Sequence, residues 1–438
     1  METPPKVDFK DLYSDYLSGD HNLFLSKMEE EYLYWNKFKY KVKGDQVYGK
    51  DVMRAWGLVQ LDRKTKSQTL KIGSYQFRYW ATNKIQERCY HLNGLISRLN
   101  MPQDDFVKLM HKRFKLEAIS SSQIEGASTT TEEAISMIDK AKKPKDDSEQ
   151  MILNNFHAYQ FIVDNQQREL DDSFLMDIQE ILVKNTKSSD KVQIREKQVY
   201  VTDNIKSEAV HIPPEASELR ILLDDLYTFI KEDNPFIHPI VKSAILHFMI
   251  GYIHPFLDGN GRTARTLLYW YLFKKGYRIM HLLSVTEVIK KARSKYDKSF
   301  IECELDHNDL TYFINYSLEI LEKAFEDLIQ YNEKKKNERD EMDRMYAKIS
   351  RQSQRLKAMG STALNERQIN LLSYLYVKPD KWLSVQEIAE VHHTERQTAR
   401  KDVNLLLKQG FLLEDKHGRN VVVKLNNKAF IESWLAQA

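Results

Sequence analysis

A mainly α-helical fold with one β-hairpin and a separate C-terminal unit is predicted by three features of this 438-residue sequence. Glycine and proline are scarce, at 14 and 10 residues, so few positions break a helix. Apolar residues recur at three- and four-residue steps over most of the chain. Between those helical stretches, β-forming residues gather in one mid-chain segment, 187–214.

Residues 1–103 are rich in Tyr, Trp and Lys, with alternation from Lys71 to Tyr79, and read as mixed helix and strand. From Asp104 to Asp139 the pattern turns helical, with Phe106, Leu109, Met110 and Phe114 on one face. A second helix starts near Thr130, which with Glu133 forms a capping box. After a charged loop at 142–149, helical spacing resumes over Met151–Val163 and Phe174–Val183. Val192, Ile194, Val199, Tyr200 and Val201, a polar turn at Asp203–Glu208, and Ala209–Ile212 before Pro213-Pro214 read as the hairpin. Helices are expected again over Leu219–Lys231, Pro239–Tyr252, Arg262–Lys275 and Leu310–Asn332. The charge run Glu333–Ala358, with Met345 and Ile349 as its few apolar points, is expected to be a connecting helix.

Bulk composition excludes several classes. The chain is 42% hydrophobic and 29% charged, ordinary for a globular protein. Its net charge of +3 is the small difference between 66 basic and 63 acidic residues, so no strong field for nucleic acid or membrane arises. Cys89 and Cys303 form no Cys-x-x-Cys pair, which argues against a disulfide framework or a thiolate zinc site. The polar N-terminus has no signal-peptide core, and no apolar run approaches the roughly 20 residues of a membrane span. A cytoplasmic setting is the expectation.

The chemistry concentrates in HPFLDGNGRTAR, from His254 to Arg265. Gly259, Asn260 and Gly261 precede a strongly helical stretch. The free N–H groups and positive dipole of a helix start suit an anion, and glycines let a ligand approach closely. Arg262 and Arg265 share a helix face and are placed near the end where cations are disfavoured. A bound polyanion would relieve that conflict. Asp258 is a hard oxygen ligand suited to Mg²⁺ shared with phosphate, and His254 is a residue type that accepts protons at neutral pH. Phe256 is expected to anchor the loop from inside. A lone His, a lone Gly-Asn-Gly turn or a lone Asp–Arg pair is ordinarily structural. Their joint occurrence in so short a run favours a phosphate-handling site.

This run resembles the signature HPFxDGNGRxxR of the Fic-domain family and matches every fixed position. His247 in the preceding helix and QVYVTDNIKSEAVHIPP, Gln198–Pro214, resemble the family's flanks, the latter its hairpin flap. Gly251 departs from the polar or acidic residue often seen there. The resemblance spans about Phe106 to Leu321 and implies a Fic helical core with a β-hairpin flap. It implies transfer of AMP from ATP to a Ser, Thr or Tyr hydroxyl of a target protein, with Mg²⁺ as cofactor. His254 would be the base and Asp258 would hold Mg²⁺. Gly259, Asn260 and Gly261 would form the anion hole, and Arg262 and Arg265 would bind the outer phosphates. Val199, Tyr200, Val201, Ala209, His211 and Ile212 of the flap would add the target as an extra strand. SSQIEG resembles the family's inhibitory motif, with Ser121, Glu125 and Gly126 in the fixed places. Glu125 pairing with Arg265 would then hold the enzyme off. Taken without the family, Gly126 reads as a helix C-cap.

At the C-terminus, Leu364–Tyr376 reads as a helix. A capping box at Ser384 and Glu387 opens a short helix ending near Val391. A third helix runs from a Thr394 cap to Gln409, with Gly410 as its stop. Strands Phe411–Glu414 and Val421–Leu425 bracket a turn at Lys416–Arg419. This order resembles a winged helix-turn-helix domain, with Arg396, Gln397, Arg400 and Lys401 facing outward. Duplex DNA is one partner this implies. Yet residues 361–438 hold 11 basic and 9 acidic residues, a thin footprint for phosphate contacts, and a protein partner fits equally. The expected division is 1–103, an N-terminal region; 104–321, the Fic core; 322–360, the connecting helix; and 361–438, the winged helix. A homodimer is a further expected assembly. Three alternatives stay open: a DNA-binding regulator whose core senses nucleotide, transfer of another phosphate-linked moiety, and removal of AMP.

Overall fold

The computed structural model describes residues 1–98, 103–190, 192–202, 209–417 and 420–436. They form two compact units, Met1–Glu326 and Asp327–Ala438.

The first unit opens with α1 (Tyr13–Ser18), α2 (Asn22–Glu31), α3 (Trp35–Lys43) and α4 (Val52–Lys66). The hairpin β1 (Gln68–Ile72) and β2 (Tyr75–Tyr79) and helix α5 (Asn83–Arg98) follow. The alternation in the sequence is realised here: Leu70 pairs with Phe77, and both are buried with Ile72 and Tyr79. Arg63 and Arg78 reach Asp306 and Asp309 in a buried charge cluster, with Arg78–Asp309 at 3.1 Å. That cluster pins this region to residues far along the chain.

Next come α6 (Gln103–Ile124), α7 (Thr131–Asp139), α8 (Asp147–Asp164) and α9 (Asp172–Val183). Thr130 and Glu133 make the expected capping box of α7. Strands β3 (Val201–Thr202) and β4 (Ala209–His211) pair antiparallel, Val201 opposite His211, with an irregularity between Val201 and Thr202. The hairpin is shorter than expected. Val192, Ile194, Val199 and Tyr200 lie outside it, because the backbone there bonds elsewhere: the Arg195 N–H donates to Pro255 O at 2.8 Å. The expected turn at 203–208 lies outside the described residues.

Helices α10 (Leu219–Lys231), α11 (Pro239–Ile253) and α12 (Asn260–Lys274) come next. Then follow α13 (Val285–Lys291), α14 (Arg293–Leu305) and α15 (Thr311–Ala358). α11 is buried on nearly every side, as a predominantly apolar helix tends to be, with Lys242, Ser243 and His247 buried along with its apolar residues. α12 is buried from Arg262 to Phe273, so its polar residues must find partners inside. α13 and α14 went unanticipated: α13 is only seven residues long, and in α14 charged residues interrupt the apolar points Tyr296, Phe300 and Cys303. The helix expected over Leu310–Asn332 and the connecting helix expected over Glu333–Ala358 are one element: α15 runs unbroken to Ala358.

In the second unit, α15 contributes the buried Met345 and Ile349. The rest is α16 (Glu366–Val377), β5 (Leu383–Ser384), α17 (Val385–Val391), α18 (Arg396–Lys408), β6 (Leu412–His417), β7 (Asn420–Leu425) and α19 (Lys428–Ala436). The sheet order is β5-β7-β6, antiparallel throughout. Ser384 and Glu387 form the expected box. The expected Thr394 cap does not form. The Thr394 N–H closes the end of α17 on Ala389 O, and Glu395 becomes the N-cap residue of α18. β5 and α19 had no counterpart in the sequence reading. Positions 418 and 419 of the expected wing turn lie outside the described residues. No helix among those residues is long and apolar enough to cross a membrane.

Candidate active site

α11 ends at His254, whose backbone is left-handed at φ 51° and ψ 60°. A β-carbon residue pays about 1–2 kcal/mol to sit there, so the surroundings must hold it. The ring Nδ1 lies 3.2 Å from Gly251 O and donates to it, which leaves the Nε2 lone pair free. Burial pushes the imidazole down to about 4 against the Gly251 bond, with His211 and then Arg195 adding to the effect. His254 is therefore neutral at physiological pH and able to take a proton. Gly251 has a steric reason: a Cβ there would stand 2.8 Å from the Phe300 ring.

The loop after His254 locks on itself. Phe256 N–H donates to Asn260 Oδ1 at 2.9 Å, and Asn260 Nδ2 donates back to Phe256 O at 2.7 Å. The Phe256 ring is fully buried, as expected. Gly259 takes φ +85°, and its N–H donates to Asp258 Oδ1 at 2.6 Å. Of the expected anion hole, then, the Asn260 amide and the Gly259 N–H are already engaged. The backbone N–H groups of Asn260, Gly261 and Arg262, which open α12, are what an anion would meet.

Asp258 also accepts from Arg262 Nη2 at 3.3 Å. Burial opposes its charge, but Arg262 holds its carboxyl below the ordinary value. Its side chain is 47% exposed. One charged, accessible carboxylate is the donor set that Mg²⁺ uses when phosphate and water supply the other oxygens, so the site fits that ion.

The two arginines are 1% and 2% exposed. Arg262 Nη1 donates to Leu182 O at 2.9 Å, at the carbonyl end of α9. The α9 dipole and Asp258 thus relieve the conflict between Arg262 and the start of α12. Arg265 lies a turn deeper. Its Nε donates to Ser121 Oγ at 2.9 Å, and Nη2 to Ser121 O at 3.1 Å and Glu125 Oε1 at 2.8 Å. Two buried donors, Arg262 Nε and Arg265 Nη1, have no hydrogen-bond partner. Glu125 also lies against the start of α12, where a Cβ on Gly261 would stand 2.3 Å from Glu125 Oε1 and 3.2 Å from Arg265 Nη1. Burial opposes the Glu125 charge, but Arg265, with Arg293 and Arg262 behind it, keeps its carboxyl below the ordinary value. Gly126, at φ +101°, lies just past the end of α6 in the positive-φ region that the helix-cap reading expects.

On the flap, Tyr200 and Ile212 are 62% and 64% exposed, while Val199 and Val201 are half-buried. His211 is turned inward, its ring between Glu304 Oε2 and Tyr252 O at 2.8 Å each. His247 is buried beside Tyr296 OH at 2.9 Å, and burial pushes it down to about 3, which makes it a neutral packing residue. Ala209 lies in β4 opposite Thr202.

Several residues of the site escaped sequence reasoning. Gln179 Nε2 donates to Asp258 O at 2.8 Å, and Gln179 Oε1 accepts from Thr263 Oγ1. Glu117 accepts from Thr286 N–H at 3.0 Å, and burial pushes its carboxyl up to about 7. Both occupy core-facing helix positions among apolar neighbours, a signal the sequence does carry. Arg195 and Arg293 gave no such signal.

With this geometry in place, comparison with known proteins is informative. Residues 169–272 match the Fic/DOC family. They form a Fic domain. The protein adenylyltransferase Fic of Nematostella vectensis is 29% identical over 133 residues, 30% of this chain and 28% of that protein. The Drosophila melanogaster protein of the same name is 30% identical over 135 residues, 31% of this chain and 24% of its own. The match thus spans about a quarter of the length of these relatives. A Fic family protein of Desulfovibrio desulfuricans superposes with a TM-score of 0.54 at 20% identity, over 80% of this chain and 98% of that one. Fic-1 residues 134–508 of C. elegans superpose at 0.50 and 15% identity, over 75% and 89%. These likenesses establish the Fic fold of the helical core.

Proposed function

We propose that the protein is an adenylyltransferase that moves AMP from ATP to a Ser, Thr or Tyr hydroxyl of a protein, and that Glu125 holds it off. The observation that carries the reading is the buried Arg265 guanidinium, shared between Ser121 and Glu125, with an unpartnered Nη1 at the start of α12. Such donors at a helix N-terminus suit phosphate oxygens. His254 Nε2 takes the hydroxyl proton as the oxygen attacks the α-phosphorus. The new O–P bond forms as the bond to the β-phosphate oxygen breaks, and pyrophosphate leaves. Asp258 would hold Mg²⁺, which neutralises phosphate charge when bound. The Asn260, Gly261 and Arg262 backbone and both arginines orient the phosphates. Tyr200 and Ile212 offer the target an exposed apolar edge.

The Glu125 carboxylate stands where the outermost phosphate would meet Arg265, so the two compete for one cation. Losing a charge-assisted bond of about 1.5–3 kcal/mol should raise transfer by Glu125→Gly roughly ten- to hundredfold. The test is mass spectrometry of Glu125→Gly after incubation with ATP and Mg²⁺. An AMP adduct that is lost in Glu125→Gly/His254→Ala supports the reading. No adduct on the protein or in lysate, or equal self-labelling by wild type, overturns it.

For the second unit we infer a macromolecular docking role, because Arg396, Gln397, Arg400 and Lys401 are all exposed on α18. Tight, salt-sensitive binding to duplex DNA would assign a major-groove reader. Salt-insensitive capture of a protein would assign an interaction module.

A further inference from the structure

We infer that Arg195 is the positioning residue that holds His254 and the flap in a single register. The inference rests on the proton-accepting role proposed for His254. Arg195 lies between α9 and β3 and is 1% exposed, yet no carboxylate among the described residues bonds to it. Its backbone N–H donates to Pro255 O at 2.8 Å. Its Nε donates to His254 O at 2.8 Å, and Nη2 reaches Ile253 O at 3.4 Å. Three successive carbonyls at the end of α11 thus point at one residue. They form the negative end of that helix, which stabilises a cation without an acid partner.

The other edge of the guanidinium holds the flap. Nη1 donates to Lys197 O at 3.0 Å and Gln198 Oε1 at 3.3 Å, and Nη2 donates to Pro214 O. Gln198 Nε2 donates onward to Pro213 O at 2.7 Å. Both stems of the hairpin, 197–198 and 213–214, are therefore clamped to the turn that carries His254. Only a planar fork reaches both sides; a lysine ammonium is a single point.

Two consequences follow. Fixing the His254 carbonyl sets the peptide plane that keeps this residue left-handed, and so aims the ring. A cation beside the ring also disfavours a proton on it. The other titratable groups facing His254 are His211 of β4 and Glu125 just past α6, and Glu215 faces Arg195. A target strand laid on the flap would meet the base at a distance set by Arg195.

The test uses the full chain with Arg195→Met, Arg195→Lys and Gln198→Leu, each with and without Glu125→Gly. His254 is titrated by NMR without nucleotide, and self-labelling is followed with α-phosphate-labelled ATP. Arg195→Met should raise the His254 midpoint by a small, resolvable step, because burial still holds most of the depression. It should cut the labelling rate by about 10²-fold, the scale of a 1 Å misplacement, with little change in apparent KM for ATP. Arg195→Lys should keep the low midpoint but not the rate. Gln198→Leu, which spares the buried charge, should lower the rate alone and covers the case in which Arg195→Met does not fold. An unchanged His254 midpoint in folded Arg195→Met, or full labelling in Arg195→Lys and Gln198→Leu, overturns the inference. Should Glu125→Gly itself label nothing, the proposed transfer falls, while the His254 titration still decides the role of Arg195.

Discussion

In the first unit, α12 begins with Asn260 and buries Arg262, Thr263 and Arg265 within its first two turns. In the second unit, α16 and α17 begin with Asn365 and Ser384, each closing a capping box on the third residue of its own helix. The groups that satisfy α12 come from elsewhere: Ser121 of α6 and Glu125 in the turn after it, Gln179 and Leu182 of α9, and Asp258 before it. The second unit caps α16 and α17 locally and fills its interior with Leu372, Leu375, Val403, Leu406 and Val423. The contrast teaches where function can sit. Donors left unmatched inside a folded core, such as Arg262 Nε and Arg265 Nη1, are costly unless a ligand completes them.

The comparison can be broken at several points. The largest effect is expected at His254. In the Glu125→Gly chain, His254→Ala should cut AMP transfer by about 10²- to 10⁴-fold with the fold intact by circular dichroism. The pH dependence sharpens this. A depressed imidazole binds its proton only on strong acidification, so labelling should persist as pH falls and fade only near 4. Fading near the ordinary imidazole range would remove the case for a buried base.

Asp402 comes next, as a place where the second unit gathers buried polar partners as the first does. It is buried and accepts from Asn365 Nδ2 at 2.6 Å, Arg367 Nε at 2.7 Å and Gln368 Nε2 at 3.2 Å. Asp402→Ala should cost about 1–3 kcal/mol, read as faster amide exchange in α16 and α18, with labelling untouched. A smaller loss is expected for Gly259→Ala. Its left-handed backbone costs a β-carbon residue about 1–2 kcal/mol, and the new Cβ would stand 3.1 Å from Gln179 Oε1. Denaturant unfolding should register that cost, together with weaker ATP binding. Smallest is Ser384→Ala, which removes one local cap for about 1 kcal/mol and should leave nucleotide binding unchanged. If instead Ser384→Ala altered labelling, the two units would not be separable as described.

Legibility followed the range of the forces. Regular helices such as α9 and α10 could be read because one buried face imposes a 3.6-residue repeat on local sequence. The capping boxes at Thr130 and Ser384 span three residues and were equally readable. α14 was missed because its few apolar points, Tyr296, Phe300 and Cys303, are set among charges. The hairpin was overestimated because β-formers such as Val192 and Ile194 say nothing of where their backbone will bond. Gln179 and Glu117 could have been noticed as polar residues on apolar stripes. Arg195 could not, since its partners at 197–198, 213–214 and 253–255 are gathered only by folding.

The sequence by itself determined the site's chemistry: His254, Asp258, the glycine turn and the two arginines are contiguous, and their types restrict what they can bind. Tertiary structure decided how each is used. Arg262 and Arg265 are alike in sequence, but α9 carbonyls and Asp258 quiet the first, while α6 brings Ser121 and Glu125 to the second. Burial keeps His254 neutral, while the ion pair with Arg265 overrides burial and keeps Glu125 ionised. The physical reason is that desolvation and ion pairing depend on distances between segments far apart in the chain, and no local pattern records them.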